Sequence, residues 1–171
     1  FIIFIFKKSK KYSHIECPFI RPKELSTSEA RSIDVVKHCL LYYKEINAEL
    51  PNYVAILQPT TPQRNCENIN YLINYIKTKP EINGVSTFSY TNNNSNKMYK
   101  LSNNNKIIKK IEANDSEIIY ENGLCFIIKT STLLDSSPIV NYIGSIPYQN
   151  IEQLIYPKNK IIVDIDTQND F

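Results

Sequence analysis

The chain has 171 residues, 42% of them hydrophobic and 22% charged, with a formal net charge of +3. That length suits one domain able to bury a sizeable core. Basic and acidic residues interleave beyond the first dozen positions, so neither a nucleic acid polymer nor an anionic membrane is expected as partner, while phosphate ligands stay open. Cys17, Cys39, Cys66 and Cys125 are scattered, without a CxxC pair or a histidine at metal spacing. They read as reduced, mostly buried thiols of a cytoplasmic protein, with no zinc site.

Phe1 to Phe6 is wholly apolar but far short of the ~20 residues a membrane helix needs. A secretory signal would carry its positive charges before the apolar run, whereas Lys7, Lys8, Lys10 and Lys11 follow it. Uncovered, such a six-mer is a β-aggregation hazard. The first residue is Phe rather than Met, which leads us to expect a fragment or a boundary inside a longer reading frame. Residues 1–17 are expected to be an atypical amino-terminal segment, with order beginning near Pro18.

Ser26 and Glu29 have capping-box spacing, which predicts a helix starting there. Ile33, Val36, Leu40 and Tyr43 continue it at helical spacing to about Ala48, with His38 and Cys39 as packing positions. Tyr53 to Gln58 is then an apolar, aromatic-rich run that stops at Pro59-Thr60-Thr61-Pro62, as a buried strand entering a turn does. Ligands of open α/β sheets lie beyond the carboxyl ends of the strands, so Gln58, Thr60, Thr61 and Arg64 are expected to face whatever is bound. An ordinary buried strand and turn is the plainer alternative.

Asn65 or Asn68 can cap a second helix carrying Ile69, Leu72, Ile73 and Ile76, ended by Pro80. Gly84 to Tyr90 alternates like a strand, and a helix between two strands is the unit that gives parallel pairing. Two asparagine tracts, Asn92–Asn96 with Ser95 within it and Asn103–Asn105, flank Met98–Leu101, and Lys106–Ile111 alternates after them. This predicts a β-hairpin over residues 91–121 standing off the main sheet, against a low-complexity loop. Ile118–Gly123 should reach a turn, Leu124–Lys129 form a buried strand and Thr130–Leu134 a short helix. With only three glycines in the chain, each is expected to mark a backbone demand.

Near the end, Ile161 to Thr167 is apolar except for Asp164 and Asp166. On a strand these share a face, Cα atoms about 6.6 Å apart at ~3.3 Å rise. Two like charges so close need a cation or hydrogen bonds, and Mg²⁺ is commonly held by such a pair with substrate phosphates. Solvated acids at an exposed strand end are the alternative.

Taken in order, Arg21-Pro22-Lys23-Glu24-Leu25-Ser26-Thr27, Asp34-Val35-Val36-Lys37-His38, Gln58 to Arg64, Asn122-Gly123-Leu124-Cys125-Phe126 and Asp164 to Phe171 resemble the acylneuraminate cytidylyltransferases, the CMP-sialic acid synthetases, over residues 18–171. The resemblance implies an α/β fold: a Rossmann-like nucleotidyltransferase sheet flanked by helices, truncated at its amino terminus, with a small protruding hairpin that dimerises. It implies transfer of CMP from CTP to a nine-carbon sugar acid with release of pyrophosphate. By motif, Asp164 and Asp166 resemble the catalytic Mg²⁺ ligands, while Gln58, Thr60, Arg64, Asn122, Gly123 and Phe126 resemble substrate-binding positions. The family's glycine-rich basic loop, roughly ARGGSKxxxxKN, which cradles the CTP phosphates, has no counterpart among the 171 residues. Its Arg-Arg-Gln-Asp-Leu-Pro type sequence is replaced by Ala113-Asn114-Asp115-Ser116-Glu117. The alternative is therefore a catalytically inactive remnant, acting as a dimerising or sugar-binding module.

Overall fold

Alternating inward and outward residues on two neighbouring strands build a core on each face of one sheet. The structure, a computed structural model, describes residues 19–90, 98–101, 107–110, 118–135, 142–143, 146–147, 151–157, 162 and 165. The expectations for Phe1–Phe6, Cys17, both asparagine tracts, Gly144, Asp164 and Asp166 lie outside the described residues.

The elements run from a 3-10 turn, Lys23–Leu25, through α1 (Ser32–Glu45), β1 (Tyr53–Ile56), α2 (Cys66–Lys77), β2 (Gly84–Tyr90), β3 (Met98–Leu101) and β4 (Ile107–Lys110) to β5 (Ile118–Lys129). After them come α3 (Thr130–Leu134), the short pair β6 (Tyr142–Ile143) and β7 (Ile146–Pro147), and β8 (Ile151–Ile155). Among the described residues, one sheet orders its strands β4-β3-β5-β2-β8, and β1 also pairs with β5. The architecture is the expected α/β sheet flanked by helices.

Val54 on β1 and Phe126 and Ile128 on β5 point to one face, where Ile33, Val36 and Leu40 of α1 and Leu133 of α3 cover them. The intervening Cys125 and Ile127 point to the other face and meet Leu72 and Ile76 of α2, with Leu57, Val85, Leu124 and Ile162. Period-two strands packed on period-3.6 helices thus give a layer of helix on each side. No helix among the described residues is long and apolar enough to cross a membrane.

The first helix begins six residues later than the Ser26 capping box predicts. Ser26 Oγ instead donates to the Pro22 carbonyl at 2.8 Å, and Ser26 N closes on Lys23 O at 3.0 Å, so this serine ends the 3-10 turn. The start at Ser32 follows Arg31, whose guanidinium forks onto the Asp34 carboxylate at 2.8 and 3.0 Å. Its exit is Asn47, at φ 53°.

Direct parallel pairing between β1 and β2 is also replaced. Both pair antiparallel with β5, which fills the slot between them, so the two strands run the same way without touching. Helix α2 makes the crossover, and β2 takes its parallel partner from β8. The predicted hairpin forms as β3 and β4. It is rooted in the main sheet, because Met98–Lys100 pair with Tyr120–Ile118.

Most consequential is β5, read from sequence as a turn followed by a strand. It is continuous across the Asn122-Gly123 step. Ser86 faces Phe126 while Phe88 faces Glu121, so two residues of progress on β2 correspond to five on β5. The surplus is a wide bulge at Asn122–Cys125, and Gly123 there adopts φ 66°, which an L side chain enters only with strain. Gly84 answers a different demand: a Cβ would lie 2.6 Å from the Ile127 carbonyl oxygen.

Candidate active site

Strands β1, β2 and β8 all point their carboxyl ends to the same edge of the sheet, where the last β1–β5 pair is Ile56 with Phe126. Beyond that pair the loop 57–64 meets the β5 bulge. Leu57 anchors the loop in the α2-side core. Thr61, expected to face a ligand, is fully buried, and its Oγ1 donates to the Asn122 carbonyl at 3.2 Å. Gln58 and Thr60 stay half-buried, while Pro59, Pro62 and Gln63 are exposed. Asn65 then caps α2, accepting from Asn68 N at 2.8 Å.

Arg64 folds back over its own loop. Its Nε donates to the Leu124 carbonyl at 2.9 Å and its Nη2 to the Gly123 carbonyl at 3.3 Å. Nη2 also donates to the Gln58 carbonyl. One guanidinium thus reads main chain from the loop and from the bulge, as its fixed fork of donors permits.

Asn122 is fully buried. Its Oδ1 accepts from Thr87 Oγ1 at 2.6 Å and from Leu124 N at 3.2 Å, and its Nδ2 donates to Ser89 Oγ at 2.9 Å. A buried amide left without these partners would be costly. The carboxamide therefore replaces the ladder bonds that the bulge interrupts. On the other face of β2, Ser86 Oγ donates to the Glu121 carboxylate at 3.0 Å. Phe126 is buried against α1 and α3, in the core beneath the bulge. Burial pushes the neighbouring Cys125 thiol up to about 12, against the lowering effect of the Arg64 charge, so it stays protonated and unreactive at neutral pH.

The terminal acidic segment joins this edge through its backbone. Tyr156 N donates to the Phe88 carbonyl at 2.8 Å, Tyr120 Oη donates to the Ile162 carbonyl at 2.5 Å, and Ile162 is buried in the α2-side core. Ile165 N donates to the Thr60 carbonyl at 2.8 Å. Ile165 is the residue between Asp164 and Asp166, both outside the described residues. Among the described residues no three His, Cys, Asp or Glu side chains gather as a metal site.

Of the positions singled out from sequence, Gln58, Thr60, Arg64, Asn122 and Gly123 converge on this edge. Thr87, Ser89 and Tyr120 were not anticipated. For Thr87 and Ser89 the sequence signal is the run of small hydroxyl residues Ser86, Thr87 and Ser89 within a strand, and Tyr120 carries none.

Neither a protein-family model nor a curated protein matches the sequence. Solved structures do match. One is a CMP:2-keto-3-deoxy-manno-octonic acid synthetase complexed with CTP, at TM-score 0.55 and 10% identity, over 83% of this chain and 65% of that one. The chain therefore spans just under two thirds of the length of that neighbour. Likeness at this identity speaks to architecture alone: the chain shares the α/β fold of that neighbour.

Proposed function

We propose that the chain carries a cytidylyltransferase site that forms a CMP-activated sugar acid from CTP. The anomeric hydroxyl oxygen of the sugar acid attacks the α-phosphorus of CTP, the bond to the bridging oxygen breaks, and pyrophosphate leaves. Such chemistry is mainly positioning and charge neutralisation. The observation that carries the reading is the hydrogen bond from Ile165 N to Thr60 O. It ties the peptide flanked by two carboxylates to the loop at the carboxyl end of β1, where α/β sheets bind ligands.

In this reading Gln58 and Thr60 meet the substrates, and the Asn122-Gly123 bulge borders the sugar side. Asp164 and Asp166 form a hard oxygen donor pair suited to Mg²⁺, which when bound would neutralise phosphate charge. One of these carboxylates takes the hydroxyl proton through a water. The acceptor is a nine-carbon acid of the sialic type, and the chain works as a homodimer through the β3–β4 hairpin.

The test is CTP binding and Mg²⁺-dependent pyrophosphate release with neuraminic, legionaminic and pseudaminic acids, and with the eight-carbon acid named for the structural neighbour. The expected result is micromolar CTP binding, with release for one acid that Asp166→Asn abolishes. Absence of CTP binding overturns the reading. It would favour the second one, an inactive module that dimerises or binds sugar.

A further inference from the structure

We propose that Arg64 is a positioning residue, a clasp that sets loop 57–64 against the β5 bulge, and not a ligand of the substrates; its catalytic consequence rests on the cytidylyltransferase reading above. A cation at the mouth of a site for phosphates and a sugar carboxylate would ordinarily be read as their partner. Here the Nε and Nη2 donors, the edge of a guanidinium that holds a carboxylate or phosphate in bidentate fashion, face main-chain carbonyls. Leu124 and Gly123 accept at 2.9 and 3.3 Å, and Gln58 accepts as well.

The acceptors are specific to this conformation. Gly123 sits at φ 66° inside the bulge where five residues of β5 oppose two steps of β2. That geometry turns the carbonyls of two consecutive residues, Gly123 and Leu124, toward one side chain instead of toward opposite neighbouring strands, as in a regular ladder. A second tie, Thr61 Oγ1 to the Asn122 carbonyl at 3.2 Å, joins the same two segments. A third, Ile165 N to the Thr60 carbonyl at 2.8 Å, joins the loop to the acidic segment. The loop thus has the bulge on one side and the residue between Asp164 and Asp166 on the other. Arg64 is the side chain that holds Gln58 and its neighbours in register between them.

A point-charge lysine cannot reproduce a three-carbonyl fork. Arg64→Lys is therefore expected to behave like a weakened Arg64→Ala, whereas a point-charge contact with an anion would be kept by lysine and loss of a bidentate one would show as a rise in KM.

The experiment compares the full chain with Arg64→Ala and Arg64→Lys by amide hydrogen exchange and by CTP turnover. Exchange at residues 58–61 and 122–125 should quicken on the order of tenfold in Arg64→Ala and by less in Arg64→Lys, since the opened segments lose local protection. In turnover, kcat should fall on the order of 10²-fold, as expected for misplaced reacting groups, while KM for CTP and for the sugar acid stays within about twofold, uniform binding being untouched. Unchanged exchange at both segments in a folded variant overturns the clasp. So does a rise in KM at constant kcat, or full activity in Arg64→Lys. If the unaltered chain shows no turnover, the cytidylyltransferase reading fails, and exchange alone still decides the clasp. If Arg64→Ala does not fold, Arg64→Lys carries both readouts.

Discussion

Replacing Asn122 by leucine should be among the most damaging single changes available in this chain, because it removes a hub without opening a cavity. The carboxamide serves Thr87 Oγ1, Leu124 N and Ser89 Oγ at 2.6, 3.2 and 2.9 Å, and Asn122, Thr87 and Ser89 are each no more than 2% exposed. Thr87 has a second acceptor in the Cys125 carbonyl at 3.4 Å, so its hydroxyl can turn. The Ser89 hydroxyl and the Leu124 amide lose the partner described here. Two buried polar groups so deprived, at ~1–3 kcal/mol each, set a loss of roughly 4 kcal/mol. Domain stabilities are about 5–15 kcal/mol, so the variant should be close to unfolding at 37 °C. Urea denaturation followed by circular dichroism and tyrosine fluorescence suits a chain with 12 Tyr and no Trp. The midpoint should fall by about 2 M for a slope near ~2 kcal/mol/M. The double variant Thr87→Val with Asn122→Leu should be less destabilised than the sum of the singles, since partners deleted together leave fewer orphans. An unfolding free energy within ~0.5 kcal/mol of the parent, or strict additivity, would refute the hub.

Other expectations test separate links. Gly84→Ala would place a Cβ 2.6 Å from the Ile127 carbonyl and 2.7 Å from Ile151 Cδ1; since the first of these is backbone, roughly 1–3 kcal/mol should be lost by urea titration, and an unchanged midpoint would show that the strands slide apart freely. Peptide-resolved alkylation at pH 8 should modify exposed Cys66 and spare buried Cys39 and Cys125. The Cys125 thiol, raised from 9.0 to about 12, keeps its proton in the folded chain after the unfolded chain has released it, so stability should decline as pH climbs from about 9 toward about 12. A flat profile there would argue against its burial. Lys79 Nζ lies 2.7 and 2.9 Å from the two Glu152 oxygens and 2.7 Å from Tyr75 Oη, and the Glu152 bond, then that of Tyr75, holds its pKa above the ordinary lysine value. Its contribution should therefore persist through neutral pH and fade only above the usual lysine range, and Lys79→Met should lower the midpoint less in 1 M salt than in dilute buffer; equal effects at both ionic strengths would point to packing. Ile165→Pro removes the donor to Thr60 while Ile165→Ala keeps it, so pyrophosphate release should suffer in the first alone. Equal activities would break the link between loop and acidic segment.

Local signals were legible wherever the chain itself settles the conformation. Gly84–Tyr90 alternates and is a strand, Thr130–Leu134 is a helix, and Asn65 caps α2 because its side chain reaches an amide three residues ahead. Ser26 and Glu29 misled for the converse reason: a serine serves a 3-10 turn behind it as readily as a helix ahead, and Pro22 offered its carbonyl first. The position of β5 could not be read, since nothing in the helix between β1 and β2 records that a third strand occupies the slot between them. The Asn122-Gly123 pair carried a turn signal that was correct about φ and incorrect about consequence. A positive φ can reverse a strand or merely bulge it, and the continuation of pairing on both sides decides for the bulge.

That bulge also changes what its polar residues mean. In a surface turn, Asn122 would offer its amide outward and Arg64 would reach past it toward an anion. Because β5 continues instead, the turn lies beneath loop 57–64, Asn122 points into Thr87 and Ser89, and the carbonyls freed from the ladder present a basket of acceptors. A guanidinium is the side chain with enough donors to fill such a basket while its stem crosses the loop. The same residues that read as ligands in one dimension therefore fix the geometry in three. Among the described residues, Gln58 and Thr60 stay half-buried at this edge, and under the proposed function they are the loop side chains that meet the ligand. Under the proposed function, specificity for one acid over another is expected to arise from the loop's contacts and from residues near the bulge rim, and not from Arg64 or Asn122 themselves.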